Sequence, residues 1–174
     1  MVTAEREVAV RFRDLTEADL DRVVELEREL FGAGSWSRQT YADELRAPGR
    51  HYVAAVNGQG DLVGYGGVAV GADSEVMTVG VADGWRRTGI GARLLAELLA
   101  HARAARSRRV FLEVRAGDRG AQRLYQRAGF RRVAVRRGYY QPEGADAVTM
   151  RLDLRPASPP VGAEAVPLES KEER

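Results

Sequence analysis

A chain of 174 residues with 44% apolar content is long enough for one domain with a buried core and a short tail. It contains no cysteine, which excludes disulfides, thiolate metal sites and a cysteine nucleophile, and it has no run of about 20 apolar residues that could span a membrane. The net charge of +2 is unevenly distributed, because residues 1–84 carry 8 basic and 15 acidic residues whereas residues 85–137 carry 15 arginines and three acidic residues.

The predicted elements follow the order β-α-α-β-β-β-α-β-α-β-β. Thr16 is placed to cap a first helix, which the glycines at 32–34 end, and Ser37 is placed to cap a second helix, which ends near Pro48. Residues 57–61 form the turn of a hairpin. Strands are predicted at 8–13, 52–56, 62–70, 75–81, 110–114, 130–135 and 148–154, and further helices at 89–106 and 118–128.

This order indicates an α/β fold of the α+β type. We expect a mixed, mostly antiparallel sheet of about six to seven strands, flanked by about four helices. The domain is predicted to span residues 1–155, and the Pro/Ala/Glu-rich segment 156–174 is predicted to be a disordered tail. The N-terminus has no apolar signal core, so we expect a cytoplasmic protein.

The most informative segment is a strand that runs into a glycine-containing loop, which opens a long helix. The first N–H groups of a helix have no internal partner and lie at its positive end. Gly89 and Gly91 would let a pyrophosphate approach this backbone closely, and Arg86, Arg87 and Arg93 add positive charge. An ordinary left-handed turn explains the glycines equally well, and solvated helix faces explain the arginines.

Two other phosphate-binding motifs are excluded. No G-x-x-x-x-G-K-[ST] occurs, and Leu94 occupies the position of the third glycine in G-x-G-x-x-G. Gly80, inside a predicted strand, indicates either a bulge or a close backbone approach by a ligand. A bulge there would splay the strand from its neighbour and leave N–H and C=O groups free to pair with an amide-bearing ligand.

Residues 86–91, Arg-Arg-Thr-Gly-Ile-Gly, resemble the acetyl-coenzyme A motif of GNAT acetyltransferases, [R/Q]-x-x-G-x-[G/A]. From about residue 8 to 154 the chain resembles the RimI-type ribosomal-protein alanine N-acetyltransferases of that superfamily. The stretches that carry this resemblance are residues 35–37, 112–115, 121–125, 128–130 and 136–140.

The resemblance implies an enzyme that transfers acetyl from acetyl-coenzyme A to a protein N-terminal α-amino group. The implied acceptor is the N-terminal alanine of a small-subunit ribosomal protein whose first residues are basic. It also implies that Val79, Gly80 and Val81 bind the pantetheine and acetyl group through their backbone. The residues expected at the diphosphate are Arg86, Arg87, Thr88, Gly89, Ile90, Gly91 and Ala92.

Two side chains are candidates for the proton transfers. An ammonium group is not a nucleophile, and Glu113 could remove its proton directly or through water. Tyr125, in the next helix, is the candidate acid for the departing thiolate, while a strand N–H near residues 79–81 could stabilise the oxyanion. Alternatively, Glu113 only pairs with an arginine and Tyr125 is a core residue. Asp118 stands where the family usually has asparagine, so it either contacts the cofactor or caps the helix that it begins.

Three aromatic residues are candidates for the acceptor groove. Trp36 is expected in the loop between the first two helices, and Tyr139 and Tyr140 in a late loop, although each could be a packing residue. The acidic first half would suit a basic peptide. His51 and His101 show no metal-ligand spacing, so no metal is expected.

The expected partner is the basic N-terminal peptide of a ribosomal protein, with no membrane or direct nucleic-acid contact, and the expected state is a monomer or weak dimer. Two alternatives stay open at this point. The first is a small-molecule amine or lysine acetyltransferase of the same fold. The second is a coenzyme A-binding partner of a tRNA-modification complex.

Overall fold

A computed structural model of the chain describes residues 9–154, which contain seven strands and four α-helices. The predicted tail at 156–174 lies outside the described residues. The strands are β1 (Arg11–Asp14), β2 (Arg50–Val56), β3 (Leu62–Ala69), β4 (Asp73–Val81), β5 (Arg109–Arg115), β6 (Arg131–Tyr140) and β7 (Ala145–Asp153). The helices are α1 (Leu20–Phe31), α2 (Arg38–Arg46), α3 (Ile90–Ala104) and α4 (Arg119–Arg127).

The strands form one mixed sheet in the order β1-β2-β3-β4-β5-β7-β6, in which β4 and β5 are the parallel pair and all other neighbours are antiparallel. The predicted order of elements and the mostly antiparallel sheet are therefore confirmed. None of the helices between residues 9 and 154 is long and apolar enough to cross a membrane.

The helices bury apolar residues on the two faces of the sheet. In α1, residues Leu20, Val23 and Leu26 are fully buried against the face that also carries Tyr52 and Tyr65. On the opposite face, α3 and α4 pack against the second core cluster. The Ser37 hydroxyl accepts a hydrogen bond of 3.1 Å from the Thr40 N–H, which confirms the predicted cap of α2.

The sheet opens between its two parallel strands. Only Asp73–Glu75 of β4 pair with Arg109–Phe111 of β5. Beyond them, and within the described part of the chain, residues 76–81 pair only with β3 and residues 112–115 only with β7, so the facing edges of β4 and β5 diverge. The divergence leaves a cleft that passes through the sheet, with free backbone groups along its walls.

The bulge that was one of the two interpretations of Gly80 lies elsewhere. The register of β3 with β4 shifts between Gly67 and Val68, opposite Met77, whereas Gly80 pairs regularly with Tyr65. Gly80 is instead needed because the Tyr65 ring lies across it, and a Cβ there would come within 2.7 Å of that ring. The predicted divergence of the strand thus occurs, but the extra residue lies three positions earlier.

The prediction of a late loop at Tyr139 and Tyr140 was also wrong, because both residues belong to β6. Gly138, with a φ of +61°, absorbs an irregularity in the pairing of β6 with β7, and Tyr140 pairs again with Ala145. The strand therefore continues past the predicted end at residue 135, and only residues 141–144 connect it to β7.

Candidate active site

One cavity of about 920 Å³ occupies the cleft between β4 and β5, which is large enough for a cofactor-sized ligand. It runs from the loop before α3, past both strands, to the loop between α1 and α2. The candidate site residues predicted from the sequence that line this cavity are Trp36, Val79, Gly80, Val81, Arg86, Arg87, Gly89, Gly91, Ala92, Glu113, Asp118, Tyr125 and Tyr140.

The loop at the start of α3 presents a run of free backbone donors. Within the described residues, the N–H groups of residues 87–92 have no backbone acceptor, and the first helical bond runs from the Arg93 N–H to the Gly89 carbonyl at 3.0 Å. Arg87 and Gly89 have positive φ angles of 61° and 86°, which turn the chain into the helix. Successive free N–H groups at a helix start form an anion-binding concavity, so this loop suits a diphosphate.

Two of the residues predicted at the diphosphate do not line the cavity with their side chains. Ile90 is 4% exposed and packs in the core, so only its backbone N–H is available. The Thr88 hydroxyl donates to the carbonyl of Trp85 and thereby closes the turn. Gly91 lies close to α4, because a Cβ there would be 3.4 Å from the Leu124 side chain.

The arginines around the cavity differ partly from those predicted. Arg86 and Arg87 line it, but Arg93 pairs with Glu97 at 3.2 Å and lies 5.0 Å from the Phe12 ring. Arg93 faces that way because it is on the side of α3 next to β1. Two arginines of α4 line the cavity instead, Arg123 and Arg127. Their spacing of four residues places them on one helix face, and this signal was available in the sequence.

Glu113 lies on β5 at the centre of the cavity wall. One oxygen accepts a hydrogen bond of 2.9 Å from the Thr149 hydroxyl, and the other contacts the Arg136 guanidinium at 3.3 Å. Its side chain is 18% exposed. The arginine pairing that the sequence left as an alternative therefore exists, but the carboxylate faces the cavity at the same time.

Tyr125 reaches the same cavity from α4. Its ring is 7% exposed and packs edge to face against Phe130 at 5.9 Å. Its hydroxyl has no hydrogen-bond partner among residues 9–154. Burial, followed by the charge of Asp118, raises the pKa of Tyr125 well above its ordinary value, so the phenol stays protonated. A protonated hydroxyl with no protein partner is available as a proton donor to a ligand.

Asp118 caps α4, as one of its two predicted roles requires. Its Oδ1 accepts a hydrogen bond of 2.9 Å from the Ala121 N–H. The residue also lines the cavity. One oxygen is therefore occupied by the cap, and a carboxylate so placed cannot donate to a ligand as asparagine would.

The aromatic residues predicted for the acceptor groove separate into two groups. Trp36 and Tyr140 line the cavity. Tyr139 does not line it; its ring is 42% exposed and is covered by the Arg136 guanidinium at 4.2 Å. The Tyr140 ring lies 4.4 Å from the Arg115 guanidinium, and burial raises its pKa to about 12.

Sequence reasoning missed two features that the structure assembles. Glu27, a buried carboxylate on the apolar face of α1, lines the cavity. The signal was present, because Glu27 continues the buried stripe of Leu20, Val23 and Val24. His51 and His101, far apart in sequence, stack with ring centroids 4.2 Å apart.

A splayed sheet, a glycine loop at a helix start and facing acid and base candidates define a coenzyme-dependent acyl transferase. The chain belongs to the acetyltransferase (GNAT) family, whose pattern matches residues 20–130. Within the family it is 46% identical over 145 residues to the N-alpha-acetyltransferase RimI of Mycobacterium tuberculosis, covering 80% of this chain and 89% of that protein. The RimI-type resemblance of the sequence is thereby confirmed, and the protein is an acetyl-coenzyme A-dependent N-acetyltransferase.

Two solved structures have the same fold. The ribosomal-protein-S18-alanine N-acetyltransferase from Escherichia coli superposes with a TM-score of 0.76 at 24% identity, covering 88% of this chain and 99% of that one. Arabidopsis thaliana NAA60 in complex with acetyl-CoA also gives a TM-score of 0.76, at 23% identity, and covers 84% of this chain and 99% of that one.

Proposed function

We propose that this enzyme acetylates the N-terminal α-amine of a protein, and that its acceptor is the N-terminal alanine of a small-subunit ribosomal protein with basic first residues. The observation that carries the proposal is the single cavity that joins the free N–H groups before α3 to Glu113 and Tyr125 and continues to the α1–α2 loop. The similar proteins named above, an N-alpha-acetyltransferase and a ribosomal-protein-S18-alanine N-acetyltransferase, support this acceptor class.

The coenzyme end of the cavity fits a diphosphate-bearing ligand. The N–H groups of residues 87–92 would hold the diphosphate, with Arg86, Arg87, Arg123 and Arg127 supplying positive charge. The cleft edge of β4 at Val79–Val81 would pair with the amides of the pantetheine arm, because no strand among residues 9–154 pairs with this edge. Acetyl-coenzyme A, when bound, supplies the thioester that the amine attacks.

In the proposed reaction, Glu113 accepts the proton of the acceptor ammonium, directly or through a water molecule, and Thr149 keeps the carboxylate oriented toward the cavity. A cleft-facing N–H of β4 stabilises the negative charge that develops on the carbonyl oxygen. Tyr125 donates a proton to the departing sulfur, and the second proton that the nitrogen loses as the amide forms returns through water to the Tyr125 phenolate. No covalent acyl-enzyme is needed, since both proton-transfer groups line one cavity.

The choice of an α-amine follows from acid strength and charge. An N-terminal α-amine has a pKa of roughly 7.7–8.0, whereas that of a lysine is about 10.4, so the α-amine loses its proton far more readily near neutral pH. The first 84 residues, which include Trp36 of the cavity lining, carry an excess of seven acidic residues, and this charge favours a basic peptide.

A thiol-release assay tests the proposal. Acetyl-coenzyme A is offered with an alanine-starting basic peptide, with the same peptide blocked at its N-terminus, or with a polyamine. We expect turnover with the free peptide only. Equal turnover of the blocked peptide would contradict the α-amine assignment and favour side-chain lysines, and preference for the polyamine would indicate a small-molecule acetyltransferase.

A further inference from the structure

A buried carboxylate that the proposed chemistry does not use lies in the wall of the cavity. Glu27 is 4% exposed and belongs to the face of α1 that packs on the sheet. Burying a carboxylate is unfavourable unless hydrogen bonds replace those to water. Its position on the acceptor side of the active site, rather than elsewhere in the core, calls for a functional explanation.

Three donors compensate for the burial of Glu27. The Tyr41 hydroxyl donates to Oε2 at 2.7 Å, the Tyr65 hydroxyl donates to the same oxygen, and the backbone N–H of Trp36 donates to Oε1 at 3.3 Å. Burial, together with the charge of Glu27, raises the pKa of each phenol far above its ordinary value. Both phenols therefore remain protonated and act as donors.

Two of these donors belong to, or contact, segments that form different walls of the cavity. Trp36 lies in the α1–α2 loop and lines the acceptor side. Tyr65 lies on β3, and its ring covers Gly80 on β4 so closely that a Cβ there would be 2.7 Å away. Gly80 in turn lines the cavity beside the proposed thioester site. One carboxylate thus connects the acceptor loop to the strand that faces the thioester.

We propose that Glu27 is a positioning residue that fixes the Trp36 loop and, through Tyr65, the Gly80 segment of β4 at a set separation, and so determines the affinity for the acceptor amine. The inference rests on the proposed function, in which Trp36 and Gly80 flank the acceptor and the thioester. Glu27 is not assigned to the proton transfer, because it is buried and three donors converge on its carboxylate, whereas Glu113 is more exposed and has two contacts.

The test is Glu27→Gln, which preserves shape but leaves one acceptor oxygen for three donors. Losing a hydrogen bond to a charged group is expected to raise the KM for the acceptor peptide about tenfold, while the Kd for coenzyme A changes less than about twofold. Tyr41→Phe is the matched control, since it removes a donor from the same oxygen while the ring keeps its packing on Trp36 and Tyr65. It should lower the Tm while the acceptor KM stays within about twofold of wild type.

Two results would overturn the inference. One is an equal rise of the acceptor KM in Glu27→Gln and Tyr41→Phe, and the other is a lowered Tm in Glu27→Gln with an unchanged KM. If Glu27→Gln does not fold, Tyr65→Phe takes its place, because it keeps the ring on Gly80 but removes the hydrogen bond to the carboxylate. An unchanged acceptor KM in Tyr65→Phe would also overturn the inference. If the wild-type enzyme acetylates no peptide, the proposed function is contradicted rather than the role of Glu27. The role of Glu27 is then tested by comparing the KM of wild type and variant for the amine that the enzyme does acetylate.

Discussion

Replacing Glu113 by glutamine separates its two possible roles, base and ion-pair partner. The substitution keeps the size of the side chain and its hydrogen bond to Thr149, but it removes the proton acceptor. A positioned general base contributes roughly 10²–10⁴-fold to the rate, so kcat should fall by at least about two orders of magnitude. The Kd for coenzyme A should be unchanged, since Glu113 on β5 is not part of the proposed diphosphate loop before α3.

The pH dependence of the variant provides a second, independent measure. Without a base, the enzyme depends on amine that is already neutral, and for a pKa of about 7.9 this fraction rises from about 4% at pH 6.5 to about 55% at pH 8.0. The kcat/KM of Glu113→Gln should therefore increase about fifteenfold over this interval. The wild-type value should increase less, because Glu113 removes the proton from the bound ammonium.

The assay is thiol release with an alanine-starting basic peptide, measured with coenzyme A titrations on the same preparations. Glu97→Gln serves as the matched control, because Glu97 is an exposed carboxylate of α3 that pairs with Arg93. A Glu113→Gln variant that retains more than about a third of the wild-type kcat, or whose pH profile runs parallel to that of wild type, would refute the assignment of a base.

Three further predictions follow from the site and its surroundings. Tyr125→Phe should lower kcat about a hundredfold with no loss of Tm, because the hydroxyl has no protein partner among residues 9–154; a lower Tm at normal kcat would contradict the acid role. Gly89→Ala should raise the Kd for coenzyme A by calorimetry and cost about 1–2 kcal/mol of stability, because φ at this position is +86°, whereas Gly84→Ala in the same loop should do neither. Burial and His101 lower the pKa of His51, so the folded protein binds its proton less readily than the unfolded chain, and the free energy of unfolding should fall as the pH drops below about 6.5. Denaturant unfolding should show a weaker dependence of the free energy of unfolding on pH in His101→Asn. An unchanged pH dependence would contradict the contribution of His101 to the lowered pKa of His51.

Local sequence patterns were sufficient to predict the order of the helices and strands. The apolar stripe of α1, the Ser37 cap and the hairpin at 57–61 each depend on neighbours within a few residues, and all three are confirmed. The glycine loop was found for the same reason, since the start of a helix and its free N–H groups are local properties.

Features that depend on packing between distant segments could not be predicted in this way. Gly80 was interpreted as either a bulge or a close backbone approach by a ligand, because the sequence does not show that the ring of Tyr65 would lie across it. Arg93 was expected to add positive charge near the glycine loop, whereas its position on α3 directs it toward Phe12 of β1. The stacking of His51 on His101 likewise requires knowing which strand α3 covers. Each error is one of orientation, which only the assembled sheet determines.

The contact between Glu113 and Arg136 is compatible with a base at this position. The guanidinium is 54% exposed and contacts the carboxylate at 3.3 Å, and exposed pairs of this kind contribute at most about 1 kcal/mol. Arg136 also rests on the Tyr139 ring, which holds the guanidinium beside Glu113. A positive charge repels an ammonium more than a neutral amine. If Glu113 is the base, as proposed, this arginine would favour the deprotonated acceptor beside it, and Tyr139 would contribute by holding the guanidinium in place.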